Sequence, residues 1–147
     1  MPSSKKPPHL DHLIDLIRTL DSDQNQGLME GLKAQNPLLA QALMDALFQF
    51  DDLQYLTDRS MQVLLKEIDR KLLIRALKQA SEVVMQLILK NLSKRASESL
   101  LEEIELLPRM RLSEVKEAQR AIAKQARSME EAGTIILIRP NDDDPLV

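Results

Sequence analysis

Apolar residues recur at helical spacing along almost the whole of this chain. Leu10, Leu13, Ile14 and Ile17 fall on one face of a helix predicted over residues 9–20, and Leu28, Met29 and Leu32 line a second that runs to about Gln35. Asp21 to Asn25, between them, reads as a polar turn. Asn36 is placed to cap a third helix with Pro37 at its first position, where the missing N–H costs nothing; Leu38, Leu39, Ala42, Leu43, Ala46 and Leu47 make its stripe wide. Further on, Thr57 or Asp58 starts a helix carrying Met61, Leu64, Leu65 and Ile68. Asp69 starts one carrying Leu72, Leu73, Ala76 and Leu77, and Ser81 one carrying Val83, Val84, Leu87 and Ile88. Ser93 to Arg111 forms another, closed by Pro108, and Ser113 opens the longest, to about Glu131. The last stripe, Val115, Ala118, Ile122, Ala126 and Met129, is narrow, so much of that helix is expected to stay exposed or meet a partner. Gly133 stops it, and Thr134 to Ile138 reads as a short extended piece.

This pattern predicts an all-α protein. Composition agrees: 44% of residues are hydrophobic but only 2% aromatic, so the core is built from Leu, Ile, Val, Met and Ala, which suits packed helices. With 147 residues, the chain is one domain or two small modules. Every aromatic residue lies between Phe48 and Tyr55, where one group of helices ends and the next begins. They make a plain core patch or, more specifically, a hinge whose repacking reorients the modules. The expected organisation is a disordered tail over 1–8, a three-helix module over 9–47, an aromatic connector over 48–56, a helical bundle over 57–133 and an extended, then disordered acidic tail over 134–147.

The segment from Ser93 to Arg111 breaks a local rule. Leu92, Ala96, Leu100, Ile104 and Leu107 share one face; Lys94, Arg95, Glu98, Glu102 and Glu105 share the opposite one. A helix start favours acids and a helix end bases, by about 0.3–1 kcal/mol each at a surface. Here Lys94 and Arg95 occupy the first turn, while Glu102, Glu103 and Glu105 crowd the last. Either Arg109 and Arg111, just beyond, neutralise the acidic turn and the rest is a solvated face, or the face is kept for a partner.

Charge and chemistry exclude several classes. The net charge of −3, from 23 acids and 20 bases spread along the chain, argues against a nucleic-acid protein with one basic face. Without cysteine there are no disulfides or thiolate metal sites, as suits a reducing cytoplasm. Neither a signal peptide nor a membrane-spanning stretch of about 18 apolar residues is visible, so no direct membrane insertion is expected. His9 and His12 lack a third ligand and read as surface residues. Asp21 to Gly27 spaces its oxygens like a calcium loop, but Gln26 replaces the required glycine and Leu32 the closing glutamate. Gly27 and Gly31 have GxxxG spacing, yet Glu30 lies between them. Glu102 and Glu103 are adjacent and point about 100° apart, so they cannot share one substrate. No enzyme, metal or cofactor is expected.

From Asn36 to Gly133 the chain resembles the C-terminal domain of the flagellar motor switch protein FliG. The resemblance rests on Asn36-Pro-Leu-Leu-Ala40, Leu47-Phe-Gln-Phe-Asp-Asp-Leu53, Asp58-Arg-Ser-Met-Gln62, Glu67-Ile-Asp69, Ala76-Leu-Lys78, Ser93-Lys-Arg-Ala96, Arg111-Leu-Ser-Glu-Val115 and Glu117-Ala-Gln119, in order and at the right spacing. It implies an armadillo-like helix layer followed by a multi-helix bundle, with Phe48, Gln49 and Phe50 as the hinge. It also implies a ridge of charges, Lys78, Arg95, Glu102, Glu103 and Arg111, that meets opposite charges on the stator's cytoplasmic loop in torque generation and switching. Other switch proteins, and self-stacking through the armadillo-like layer, are the further implied partners, at the cytoplasmic face of the inner membrane at the basal body. The chain departs from the family at Gln49 in an otherwise apolar hinge, at Gln79 after the lysine, and at Pro108-Arg109 where Gly-Pro is usual. The family's N-terminal and middle domains find no counterpart here. The alternative implied by that difference is a regulatory adaptor that competes for a stator or switch partner outside the rotor ring.

Overall fold

A computed structural model describes residues 10–140. The tail expected over 1–8, His9 and the acidic end at 141–147 lie outside the described residues. The chain divides into two compact units, Met1–Phe48 and Gln49–Val147.

The first unit holds α1 (Leu10–Thr19), α2 (Ser22–Gln35) and α3 (Pro37–Leu47). Its core is Leu10, Ile17 and Leu43, with Leu13, Ile14, Leu28, Met29, Leu32, Leu39, Ala46 and Leu47 packed around them. The polar turn expected over Asp21 to Asn25 is instead the first turn of α2. The Asp21 carboxylate accepts from the Gln24 backbone N–H at 2.8 Å, and the Gln24 side chain accepts from the Asp21 N–H at 3.2 Å. This reciprocal box satisfies two backbone donors and starts the helix at Ser22. Asn36 caps α3 as expected, accepting from the Leu39 N–H at 3.2 Å. Leu38, however, is 83% exposed. It lies five residues before Leu43, about 140° around the helix from the buried face.

The second unit begins with a 3₁₀ turn, Phe50–Tyr55, that buries Phe50 and Leu53. There follow α4 (Asp58–Glu67), α5 (Arg70–Leu77), α6 (Glu82–Lys90), α7 (Lys94–Leu106) and α8 (Leu112–Glu131). Four hydroxyl or carboxylate caps start four of these helices: Thr57 for α4, Asp69 for α5, Ser81 for α6 and Ser93 for α7. Each is worth about 1 kcal/mol. The core comprises Met61, Leu64, Val84, Ile88, Leu100 and Ile122, each almost fully buried. Val83 is not part of it: at 57% exposure it sits about 100° off the inward Val84.

α8 runs along α5 and buries more than its narrow stripe suggested. Gln119, Ala123 and Arg127 are buried beside Val115, Ala118, Ile122 and Ala126. The polar identity of Gln119 and Arg127 hides the true width of the face, and the alanines admit α5 closely. The helix also starts at Leu112 rather than Ser113, because the Arg111 carbonyl already accepts from Glu114 and Val115. At its end Gly133, with φ of +80°, forms the turn in which Thr134 N–H reaches Met129 O and Gly133 N–H reaches Glu130 O. The extended piece then makes an antiparallel bridge between Leu137 and Leu56, burying Ile135 and Leu137. Among the described residues no helix is long and apolar enough to cross a membrane.

Candidate functional site: the charged face of α7

α7 is fixed from below by neutral contacts. Ser93 accepts from the Ala96 N–H at 3.1 Å, the Ser97 hydroxyl donates to Leu89 O at 2.9 Å, and Leu100 is fully buried. With the inward side defined by Leu100, a turn of 100° per residue places Lys94, Arg95, Glu98, Glu102, Glu105 and Leu106 on the outward side. All six are exposed, Leu106 at 75%. Arg95 and Glu102 project within about 20° of each other.

The five charges implied by the family resemblance separate into two groups. Arg95, Glu102 and Arg111 are exposed and have no side-chain hydrogen bond or ion pair among the described residues. Lys78 and Glu103 are half-buried and internally engaged. The Lys78 ammonium donates to Leu107 O at 3.2 Å, and so supplies a cation to the carbonyl end of α7. Glu103 pairs with Arg70 in the first turn of α5: Nε and Nη2 approach the same carboxylate oxygen, Oε2, at 2.8 and 2.6 Å.

Arg109 and Arg111 do not form ion pairs with the acids of α7, so direct neutralisation from beyond the helix end is not how this face is built. Arg109 instead lines an open cavity of about 260 Å³ with Lys78, Gln79, Met110, Leu112 and Val115. Gln119 supports the same corner from α8, donating to Ala76 O and Gln79 O, both at 3.0 Å. Leu112, on the rim of this cavity, is 59% exposed.

Arg70 and Gln119 were not singled out by sequence reasoning. A signal for Arg70 was present: Arg70 and Lys71 stand in the first turn of α5, the same inversion of helix charge that drew attention to Lys94 and Arg95. Gln119 carried no such signal, because a glutamine at helical spacing reads as surface.

The residues of the expected hinge lie where the units meet in sequence. Phe48 is buried and closes α3, its N–H reaching Met44 O; Gln49 is exposed, and its N–H donates to the Asp52 carboxylate at 2.9 Å; Phe50 is buried in the second unit. Elsewhere, Asp58 at the start of α4 is joined to the end of α6 by Asn91 at 3.1 Å and Lys90 at 3.3 Å. The Asn91 hydrogen bond, then Lys90, hold its carboxyl below the usual aspartate range. His12 is exposed, and no group of three metal-ligating side chains occurs among the described residues.

Comparison with known proteins finds a match to the family model of the FliG C-terminal domain over residues 30–137. The flagellar motor switch protein FliG of Borreliella burgdorferi is 36% identical over 138 residues, covering 94% of this chain and 40% of that protein. Its counterpart from Thermotoga maritima is 37% identical over 135 residues, covering 92% and 40%. Full-length FliG from Aquifex aeolicus is similar in structure, with a TM-score of 0.67 at 32% identity over 88% of this chain and 40% of the other. A FliG fragment from H. pylori gives a TM-score of 0.77 at 26% identity, covering 92% and 59%. This chain spans about 40% of the length of the curated relatives it matches.

Proposed function

Because this chain belongs to the FliG C-terminal domain family, we propose that it serves as a non-catalytic part of a flagellar motor switch and that the outward face of α7 meets the stator's cytoplasmic loop. The observation that carries the proposal is the set of exposed charges Arg95, Glu102 and Arg111, unpaired among the described residues, two of them on a helix whose charge opposes its dipole. Fully solvated pairs of this kind contribute about 0.2–1 kcal/mol each. They steer and orient a passing partner without holding it, which is what a rotor stepping past a stator requires.

Under the same reading the three-helix unit is armadillo-like and stacks on neighbouring copies. Other switch proteins complete the assembly at the cytoplasmic face of the inner membrane, and Phe48, Gln49 and Phe50 allow the units to reorient.

The test is motility in a strain lacking the gene, complemented with the wild-type chain or with Arg95→Glu. The expected result is that loss leaves assembled flagella that do not swim, that the wild-type chain restores swimming, and that Arg95→Glu fails until a compensating reversal is made in the stator loop. Normal swimming without the gene would overturn the rotor assignment and favour an adaptor that binds stator or switch proteins from outside the ring.

A further inference from the structure

Among the described residues, Glu103 is the one acid of α7 that the fold has already given a cation. Arg70 reaches it from the start of α5, a different helix, donating its Nε–H to Oε2 at 2.8 Å, with Nη2 2.6 Å from that same single oxygen. That arrangement is weaker than a fork in which each carboxylate oxygen receives its own donor. It leaves Oε1 without a partner among the described residues. Both side chains are nearly half exposed, at 45% for Arg70 and 41% for Glu103, so water competes with the pair and another cation can replace it. Glu103 also lies on the flank of α7, about 80° around from Arg95, at the border between the outward face and the packed one.

We infer that Arg70 is a positioning residue for the charged face: it holds Glu103 in a reversible internal latch that a partner's cation displaces on binding. This rests on the reading of α7 as the stator-contacting surface. Arg95, Glu102 and Arg111 are then the charges available at first encounter, and Glu103 joins only when the Arg70 guanidinium is released. The latch keeps a weak contact weak. It also prevents Glu103 from adding to the repulsion among Glu102, Glu98 and Glu105 in the free protein.

The experiment measures binding of the soluble cytoplasmic loop of the cognate stator subunit to the chain by fluorescence anisotropy at low salt. The variants are Arg70→Ala, Arg70→Ala with Glu103→Gln, and Arg95→Glu. With the latch removed, affinity is expected to rise roughly 2- to 5-fold, the range set by an exposed pair. The gain should vanish when Glu103→Gln is added, whereas loss of a merely structural contact would leave affinity unchanged or lower it.

A second readout needs no substitution: the Arg70 Nε–H resonance of the 15N-labelled wild-type chain should move towards its solvated position as the loop saturates. If Arg95→Glu abolishes binding but Arg70→Ala gives no gain and the Arg70 resonance stays fixed, the latch is refuted and the stator-facing reading stands. If Arg95→Glu leaves binding unaltered, the reading of the face itself fails, and the latch with it.

Discussion

Replacing Gln119 tests whether the corner beneath the charged face is held by one buried amide. Its Nε2 donates to Ala76 O and Gln79 O, both at 3.0 Å, and the residue is only 7% exposed. Gln119→Leu keeps the volume but removes both donors. Gln79 is exposed, so its carbonyl recovers water; the Ala76 carbonyl lies on the buried side and does not. Losing two neutral bonds at about 0.5–1.5 kcal/mol each, with one acceptor stranded at about 1–3 kcal/mol, and offsetting this by the gain from a buried leucine, leaves a cost of about 2 kcal/mol. For a unit of this size that lowers the midpoint of thermal unfolding by roughly 8–16 °C. Gln119→Glu should be worse near neutral pH, because a carboxylate would face two carbonyl oxygens, and should recover part of its loss as the pH falls and the carboxyl protonates. Urea and thermal unfolding at two pH values measure both effects. A cost below about 0.5 kcal/mol for Gln119→Leu, or equal behaviour of the two variants at both pH values, would refute the account.

Two further outcomes follow from individual positions. Gly133→Ala forces an L side chain to φ of +80°, where the surroundings are open but the backbone is not; it should cost about 1–2 kcal/mol in chemical denaturation without changing the fold by circular dichroism. Asp58 has a depressed folded-state pKa, so its contribution is present above the unfolded value, about 4, and is lost as the pH falls through the folded one; Asp58→Asn should flatten the stability-against-pH curve in that acid range, as read by unfolding midpoints.

The helices were legible in the sequence because local signals agreed with one another. Ser93, Asp69, Ser81 and Asn36 each stand before an apolar stripe and each caps in the structure. The signals that misled were those a neighbour or a second local bond overrides. Asp21 to Asn25 looks like a turn by composition, and only the reciprocal pairing of Asp21 with Gln24 makes it the start of a helix. Gln119 and Arg127 look like surface, and only the packing of α8 on the rest of the unit buries them. The charged face was half legible. Its outward charges follow from helical periodicity, but the engagement of Lys78 and Glu103 depends on which helix lies alongside, and periodicity within one helix carries no such information.

That division explains how a helix with inverted charge is tolerated. The last turn of α7 carries acids where its dipole favours bases, at a cost of about 0.3–1 kcal/mol per charge. The missing cations come from α5 and the residue that ends it: Lys78 reaches the Leu107 carbonyl, and Arg70 reaches Glu103. Compensation from an adjacent helix frees the sequence of α7 from its own dipole, and the Ser93 cap and the buried Leu100 supply the remaining support without charge. Arg95, Glu102 and Arg111 receive no such compensation among the described residues. They could therefore be changed with little effect on folding, and the expected consequence of reversing them lies in partner contact and not in stability. A charged face arranged in this way separates the residues that hold the helix from those that present it.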